Sequence, residues 1–295
     1  MKRAAIAIGS NSTRLLVAEK NQHRLEHIFR GREETRLFLG LDDQGLIAPE
    51  KIESTARAVA SLAEEARGQG AADIALFATS ATRDAKNGKA LAERILELCG
   101  LELQIISGEE EARLAFLAAA GTEKRLVMDI GGGSTEFTWG EQGCIQWAVS
   151  AQMGASRLLK MQPIGSPDQA REAFELAEGA LKEALGQRLS LSAPAMVGLG
   201  GTCTTAAAIQ MGREAHGEAV EGQVVSLEEA KRQLTLLSSL TEQQRMQVPG
   251  LPAARAAHMP HGLCILIAAL SLWGLDKVQV SGKTNLDGYL LTLPD

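Results

Sequence analysis

Residues Ala5 to Leu15 read AIAIGSNSTRL, and residues Val127 to Phe137 read VMDIGGGSTEF. Aligned without gaps, the two stretches share Ile-Gly and then Ser-Thr, with apolar residues leading in and out. Each reads as a strand, a tight turn and a second strand, because apolar runs bounded by Gly, Ser and Asn mark a β-hairpin. Such turn residues tolerate positive φ and leave backbone N–H groups uncovered. Amides in a concave turn form an anion-binding nest, and small side chains let phosphate oxygens approach. One copy alone is an ordinary hairpin tip. Two copies spaced for two domains point to an internal duplication.

The bulk composition agrees with two domains. A chain of 295 residues with 45% hydrophobic content buries two ordinary cores. Its 22% charged residues are mixed along the whole length, as in a globular rather than a disordered protein. A net charge of -6 and no long basic run exclude sequence-independent nucleic-acid binding, which needs clustered Lys and Arg. The first apolar stretch is interrupted by Gly9, Ser10, Asn11 and Arg14, too early for a secretory segment. The most apolar later segment, Gly262 to Gly274, is far shorter than the roughly 20 residues that cross a bilayer. No membrane association and a cytoplasmic location are therefore expected. Cys99, Cys144, Cys203 and Cys264 form no CxxC pair, so they read as reduced, mostly buried thiols rather than a zinc site or disulfides.

Between the hairpins the periodicity alternates. Pro49 to Gly68 and Lys89 to Gly100 carry helical spacing, while Ala71 to Thr79 and Leu101 to Ser107 read as strands. In the second half, strands at Ala195 to Leu199 and Lys277 to Val280 alternate with helices at Ser166 to Leu185, Ser226 to Leu240 and His261 to Trp273. The class is mixed α/β. An Ala-rich helix ends in Gly near 121–124, which sets the expected division into domains 1–122 and 123–295.

Six motifs then occur in order: IGSNSTRLLV from Ile8, TSATRDAKN from Thr79, ISGEEEARLAF from Ile106, DIGGGSTEF from Asp129, MGASRL from Met153 and GLGGTCTTAAA from Gly198. In this order and spacing the chain resembles the Ppx/GppA phosphatases over nearly its whole length. The resemblance implies two ribonuclease-H-like domains of the actin-like ATPase superfamily, with the substrate in an interdomain cleft. It also implies Mg²⁺-dependent removal of the terminal phosphate of polyphosphate or of the 5′-phosphate of guanosine pentaphosphate. Longer members carry a helical C-terminal region that would begin where this chain ends, so a short form with a preference for short polyphosphates is expected.

Phosphoanhydride hydrolysis needs an oriented water, donors for the equatorial oxygens and a cation for the bridging oxygen. Glu111 matches the family's catalytic glutamate, the group that orients and deprotonates water. Ser107 and Glu110 read as a capping box and Glu109 with Arg113 as a helix ion pair, both structural. Arg83 resembles the family's phosphate-contacting arginine, suited to a bidentate clamp. Asp129 and Glu136 flank the second hairpin tip and would hold magnesium, which favours one or two carboxylates, several waters and substrate oxygens. Substrate-binding donors are expected from Ser10, Asn11 and Ser12, from Gly131, Gly132, Gly133 and Ser134, and from Gly200, Gly201 and Thr202. The last loop precedes a helix expected at Thr204 to Met211, whose N-terminus adds partial positive charge.

One position departs from the pattern. The family has Asp just before the Ile-Gly of the first tip; here it is Ala7, opposite Asp129 in the internal alignment. The alternative to a hydrolase is therefore a weakened sensor that binds polyphosphate or guanosine tetra- and pentaphosphate. An actin-like kinase is a third reading, against which SGEEEAR speaks, since fold alone does not decide chemistry. Arg30, Arg32 and Arg36 form the densest basic cluster, readable as a polyphosphate contact or a solvated strand edge. His258 and His261 are given no role, and apolar stripes on the late helices permit a homodimer face or a core.

Overall fold

A computed structural model describes residues 1–21, 24–42, 44–120, 123–191 and 195–294. Two compact units emerge, Met1–Leu114 with Asn285–Asp295, and Ala115–Thr284.

The first unit opens with an antiparallel meander, β1 (Lys2–Ile8), β2 (Thr13–Asn21) and β3 (Arg24–Glu33). Helix α1 (Pro49–Gly68) follows, with Pro at its start, Glu50 in the first turn and Arg67 in the last, as the helix dipole favours. Strand β4 (Asp73–Ala78) returns parallel to β1; α2 (Ser80–Asp84), α3 (Gly88–Cys99) and the two-residue β5 (Gln104–Ile105) complete the sheet, and α4 (Gly108–Ala119) leaves it. The strand order is β3-β2-β1-β4-β5. Alternation along β1 and β2 feeds two cores. Ile6, Ile8, Leu15 and Val17 pack with Val59 and Leu62 of α1 and Leu91 and Ile95 of α3, whereas Ala5, Ala7 and Leu16 face Phe77, Leu114 and Leu286.

The second unit repeats the plan with β6 (Arg125–Ile130), β7 (Thr135–Glu141) and β8 (Cys144–Ala151) as its meander. Then come α5 (Ala155–Met161), α6 (Pro167–Leu185), β9 (Met196–Leu199), α7 (Gly200–Met211), β10 (Val224–Ser226), α8 (Leu227–Ser238), α9 (Glu242–Arg245), α10 (Met259–Trp273) and β11 (Lys277–Val280). The order β10-β11-β9-β6-β7-β8 contains the first sheet's order again, read as β8-β7-β6-β9-β11, with β10 added antiparallel at the edge. The chain thus carries two ribonuclease-H-like units of α/β class. Its second core is built around α10, buried from Met259 through Leu270.

The compact units differ from the expected domains in two places. The expected division between residues 122 and 123 borders residues outside the described ones, and the compact units part within α4, between Leu114 and Ala115. Ala115, Phe116 and Ala118 pack with Val127, Val197 and Leu199 of the second sheet. Helix α11 (Asn285–Thr292), expected in the second domain, belongs to the first unit. Leu286 and Leu290 join the core of Ala5, Leu16 and Phe77, and Tyr289 stacks on Phe77 with ring centroids 5.2 Å apart. Gly288 allows this approach, since a Cβ there would overlap the carbonyl of Leu114.

Candidate active site

Ligands of open α/β sheets gather beyond the carboxyl ends of the parallel strands. In the first unit that edge collects every residue expected to act there. β1 and β4 run in register to Ile8 and Ala78, and β4 and β5 to Ala78 and Ile105. The segments that follow are the 9–12 tip, α2 with Arg83, and the Ser107 turn into α4 with Glu111.

The 9–12 tip is fixed from several sides. Gly9 donates its N–H to the Ser12 carbonyl at 3.0 Å, and Ser10 Oγ lies 3.0 Å from Ser80 Oγ of α2. The carbonyls of Ser10 and Asn11 accept from the N–H groups of Phe38 and Arg36, at 2.9 and 2.7 Å. Among the described residues no peptide bond is cis, so a carbonyl held on one side directs the following N–H to the other. The amides of Asn11 and Ser12 therefore face away from residues 36–38.

Glu111 is 7% exposed in the first turn of α4. Ser107 caps this helix, accepting the Glu110 N–H on its Oγ at 3.1 Å and the Glu111 N–H on its carbonyl at 3.0 Å. Arg83 Nη1 lies 3.4 Å from Glu111 Oε2 and donates to the Ile106 carbonyl at 3.0 Å, so the two expected catalytic groups are neighbours. Only half of the capping box forms, because the Glu110 carboxylate turns to Arg113 in a bidentate pair of 2.8 and 2.7 Å. That pair replaces the expected ion pair of Arg113 with Glu109, and it holds the Glu110 carboxyl below its ordinary range.

The second tip repeats the first atom for atom: Gly131 donates to the Ser134 carbonyl at 3.0 Å, and a Cβ on Gly9 or Gly131 would meet the oxygen of Ser12 or Ser134 at 3.0 Å. Here α5 does the holding. Ala155 N–H donates to Gly131, Ser156 and Arg157 N–H to Gly132, and Arg157 Nε to Gly133 at 2.7 Å. With these carbonyls engaged, the amides of Gly132, Gly133 and Ser134 face away from α5 as a nest for an anion. Gly154 is needed where the tip crosses it, since its Cβ would stand 2.5 Å from the Gly132 carbonyl.

β6 and β9 are parallel with Asp129 beside Leu199, so the turn into α7 emerges at the same edge as the 131–134 tip. Gly200, at φ +80°, takes a conformation only glycine adopts freely, and a Cβ there would overlap the Asp129 carboxylate. Helix α7 starts at Gly200 rather than at Thr204, so the expected loop Gly200, Gly201 and Thr202 is its first turn, with unpaired helical N–H groups. The Thr202 side chain, 4% exposed, packs on Gly262 of α10. Arg255 lies over Gly201 so closely that any side chain there would overlap its guanidinium. A cation at the positive end of a helix is favourable when both share an anion.

Asp129 and Glu136 are direct cross-strand partners on β6 and β7, so their carboxylates leave the same face. Asp129 is 8% and Glu136 1% exposed, and Glu136 Oε1 accepts from Ser150 Oγ at 2.8 Å. Among the described residues no group of three or more His, Cys, Asp and Glu side chains is placed to hold a metal. Two carboxylates beside an anion nest fit a magnesium ion that keeps most of its water and takes substrate oxygens. Burial first, and the Asp129 charge second, push the neighbouring Cys203 thiol up. At the corresponding pair of the first unit, Ala7 stands opposite Arg14, and Ala7 is fully buried.

Other side chains weighed in the sequence fall elsewhere. His261 is buried with Nε2 3.0 Å from the Gln162 carbonyl, a core histidine. Cysteines 203 and 264 are buried, Cys99 is half-buried and Cys144 exposed, and all four are free. No described helix is long and apolar enough to cross a membrane. Arg157 and Arg255 escaped assignment. Arg157 lay inside the quoted MGASRL motif, but nothing local in the sequence ties it to Gly133, and Arg255 meets Gly201 across 54 residues of chain.

The sequence profile of the Ppx/GppA phosphatase family matches residues 16–293. Among solved structures, the chain is similar to the Aquifex aeolicus PPX-GPPA enzyme, at 26% identity and a TM-score of 0.83 over 99% of each chain. It is similar to an exopolyphosphatase-like protein at 26% identity and a TM-score of 0.89, covering 99% of this chain and 98% of that one. The fold is also that of an exopolyphosphatase from Cytophaga hutchinsonii, at 24% identity and a TM-score of 0.88 over 99% and 97%. With duplicated tips, a buried glutamate beside an arginine, and a profile match over almost its full length, the chain belongs to the Ppx/GppA phosphatase family.

Proposed function

We propose that the protein is an exopolyphosphatase that hydrolyses the terminal phosphoanhydride of inorganic polyphosphate, with guanosine pentaphosphate as a further substrate. The observation that carries this reading is the Glu111–Arg83 pair, 3.4 Å apart at the strand edge that also bears the 9–12 tip. A carboxylate there accepts the proton of the attacking water, while the guanidinium holds the phosphoryl oxygens. In the first unit the amides of the 9–12 tip would bind oxygens of the phosphoryl group. In the second unit the 131–134 tip and the start of α7 offer amides to a phosphate, and Asp129 and Glu136 would hold magnesium, which when bound neutralises phosphate charge.

The test is phosphate release from polyphosphates of graded length and from guanosine pentaphosphate, with magnesium and with chelator. Release that depends on magnesium and is lost in Glu111→Gln supports the reading; no release from any of these substrates refutes it. A second reading is favoured by Ala7, which leaves the Asp129 and Glu136 pair without a counterpart in the first unit. It is a sensor that binds polyphosphate or guanosine tetra- and pentaphosphate without turning it over. Equal binding with no release in wild type and Glu111→Gln would favour it.

A further inference from the structure

An open sheet edge carries unpaired N–H and C=O groups and pairs with another chain unless charge or shortness blunts it. The two sheets end in β3 and β5, and in β10 and β8. Three of these edges are blunted. β5 has two residues and β10 three, and the Val224 carbonyl of β10 accepts from Gln210 Nε2 at 3.1 Å. β3 has ten residues, but Arg24, Glu26, Arg30, Arg32 and Glu33 are charged. Arg30 Nη2 lies 3.3 Å from Asp287 Oδ1 and Arg32 Nε donates to Glu34 at 2.7 Å, so this part of the basic cluster is a charged strand edge.

β8 is the exception, reading CIQWAVSA with no charge and no proline in eight residues. It is the counterpart of β3, the third strand of its meander, so the duplicated unit shows one edge in a charged and an uncharged form. A bulge does not separate the two, because the pairs β2–β3 and β7–β8 each contain one. β7 takes the inner side of β8, and among the described residues the main chain of 144–150 bonds to nothing else. Cys144 and Gln146 are exposed, and residues 145 and 147–150 are half-buried. Trp147 stacks on Trp273 of α10 with ring centroids 6.1 Å apart, which fixes the strand from the core side. Helix α10, whose apolar stripe also allowed a dimer face, is itself buried in the core.

We infer that β8 is a homodimer interface, in which the β8 strands of two copies pair antiparallel about a twofold axis and join their six-stranded sheets. The chemistry of the strand selects this occupant. A neutral strand offers no charge to an acidic or basic partner, and turned on itself it makes no like-charge contact. A separate peptide added to β8 would leave its own outer edge open. Self-pairing closes both edges at once and stops at two copies. The inference is independent of the hydrolase reading.

The test is sedimentation velocity with light scattering on wild type, Ala148→Lys, Ala148→Glu and, as a charge control, Val224→Lys on the β10 edge. Wild type has twice the mass of one chain. Either Ala148 variant alone sets like charges near each other across the axis and raises the dimer dissociation constant by about tenfold or more. Mixing the two restores the dimer, and Val224→Lys leaves it unchanged. Hydrogen exchange on the unmodified protein decides even if the variants fail to fold: amides of 144–150 gain protection with protein concentration, and those of β3 do not. A wild type with the mass of one chain at every concentration overturns the inference and leaves the edge to a strand of a different protein. A dimer that neither Ala148 variant weakens, or whose β8 amides exchange alike at all concentrations, overturns it as well.

Discussion

Arg157 donates through Nε to the carbonyl of Gly133 at 2.7 Å, while its own backbone N–H donates to Gly132 at 3.0 Å. One residue thus orients two successive peptides of the second tip, and their amides face the opposite side. Replacing it by Met keeps most of the stem and removes the donor. Arg157→Met is expected to raise KM for polyphosphate about tenfold and to cost about 1–2 kcal/mol of stability. Steady-state kinetics and thermal denaturation check both.

Gly154 sets how closely α5 approaches that tip. Gly154→Ala places a methyl 2.5 Å from the Gly132 carbonyl and 2.6 Å from Gly133 N, both backbone atoms that cannot swing aside. The expected cost is about 1–3 kcal/mol, with the loss of phosphate affinity exceeding that of Gly179→Ala, whose Cβ meets nothing within 4 Å. Paired melting curves and KM values measure the difference.

His261 gives a pH signature unconnected with catalysis. Burial pushes its pKa down from 6.5 to about 4. The unfolded chain therefore binds the proton first, so stability from the neutral ring is complete above about 6.5 and is lost as pH falls toward 4. The loss amounts to about 3 kcal/mol at most. Denaturant midpoints between those pH values should fall in wild type and fall less steeply in His261→Gln.

Ala7 offers a gain-of-function test. Ala7→Asp puts a carboxylate opposite Arg14, as Glu136 stands opposite Asp129. Magnesium-dependent turnover is expected to rise. Identical magnesium titrations and rates for the two proteins would remove Ala7 as an explanation of weakened activity.

Much of the fold was legible because it follows local rules. Helix α1 spans the residues its spacing and Pro49 indicate, and β11 occupies the expected Lys277 to Val280. The repeated AIAIGSNSTRL and VMDIGGGSTEF hairpins predicted the duplicated sheets, since strand, tip and strand are neighbours in sequence. Illegible features were those set by distant contacts. Leu286 and Leu290 carry an apolar pattern that does not say which sheet they cover, so α11 could be placed only from the structure. Helix α7 reaches back over Gly200 and Gly201 although glycine disfavours helix, because Asp129 on one side and Arg255 on the other leave room for nothing larger. Arg113 chose Glu110 over Glu109 by side-chain geometry that spacing alone does not rank.

The most direct test is phosphate release from inorganic polyphosphate by wild type and Glu111→Gln in magnesium, with binding measured in parallel. Wild type should turn over, and Glu111→Gln should bind as well while losing about 10²–10⁴-fold in kcat, the range for a positioned base. Equal kcat in the two proteins would contradict Glu111 as the group that activates water.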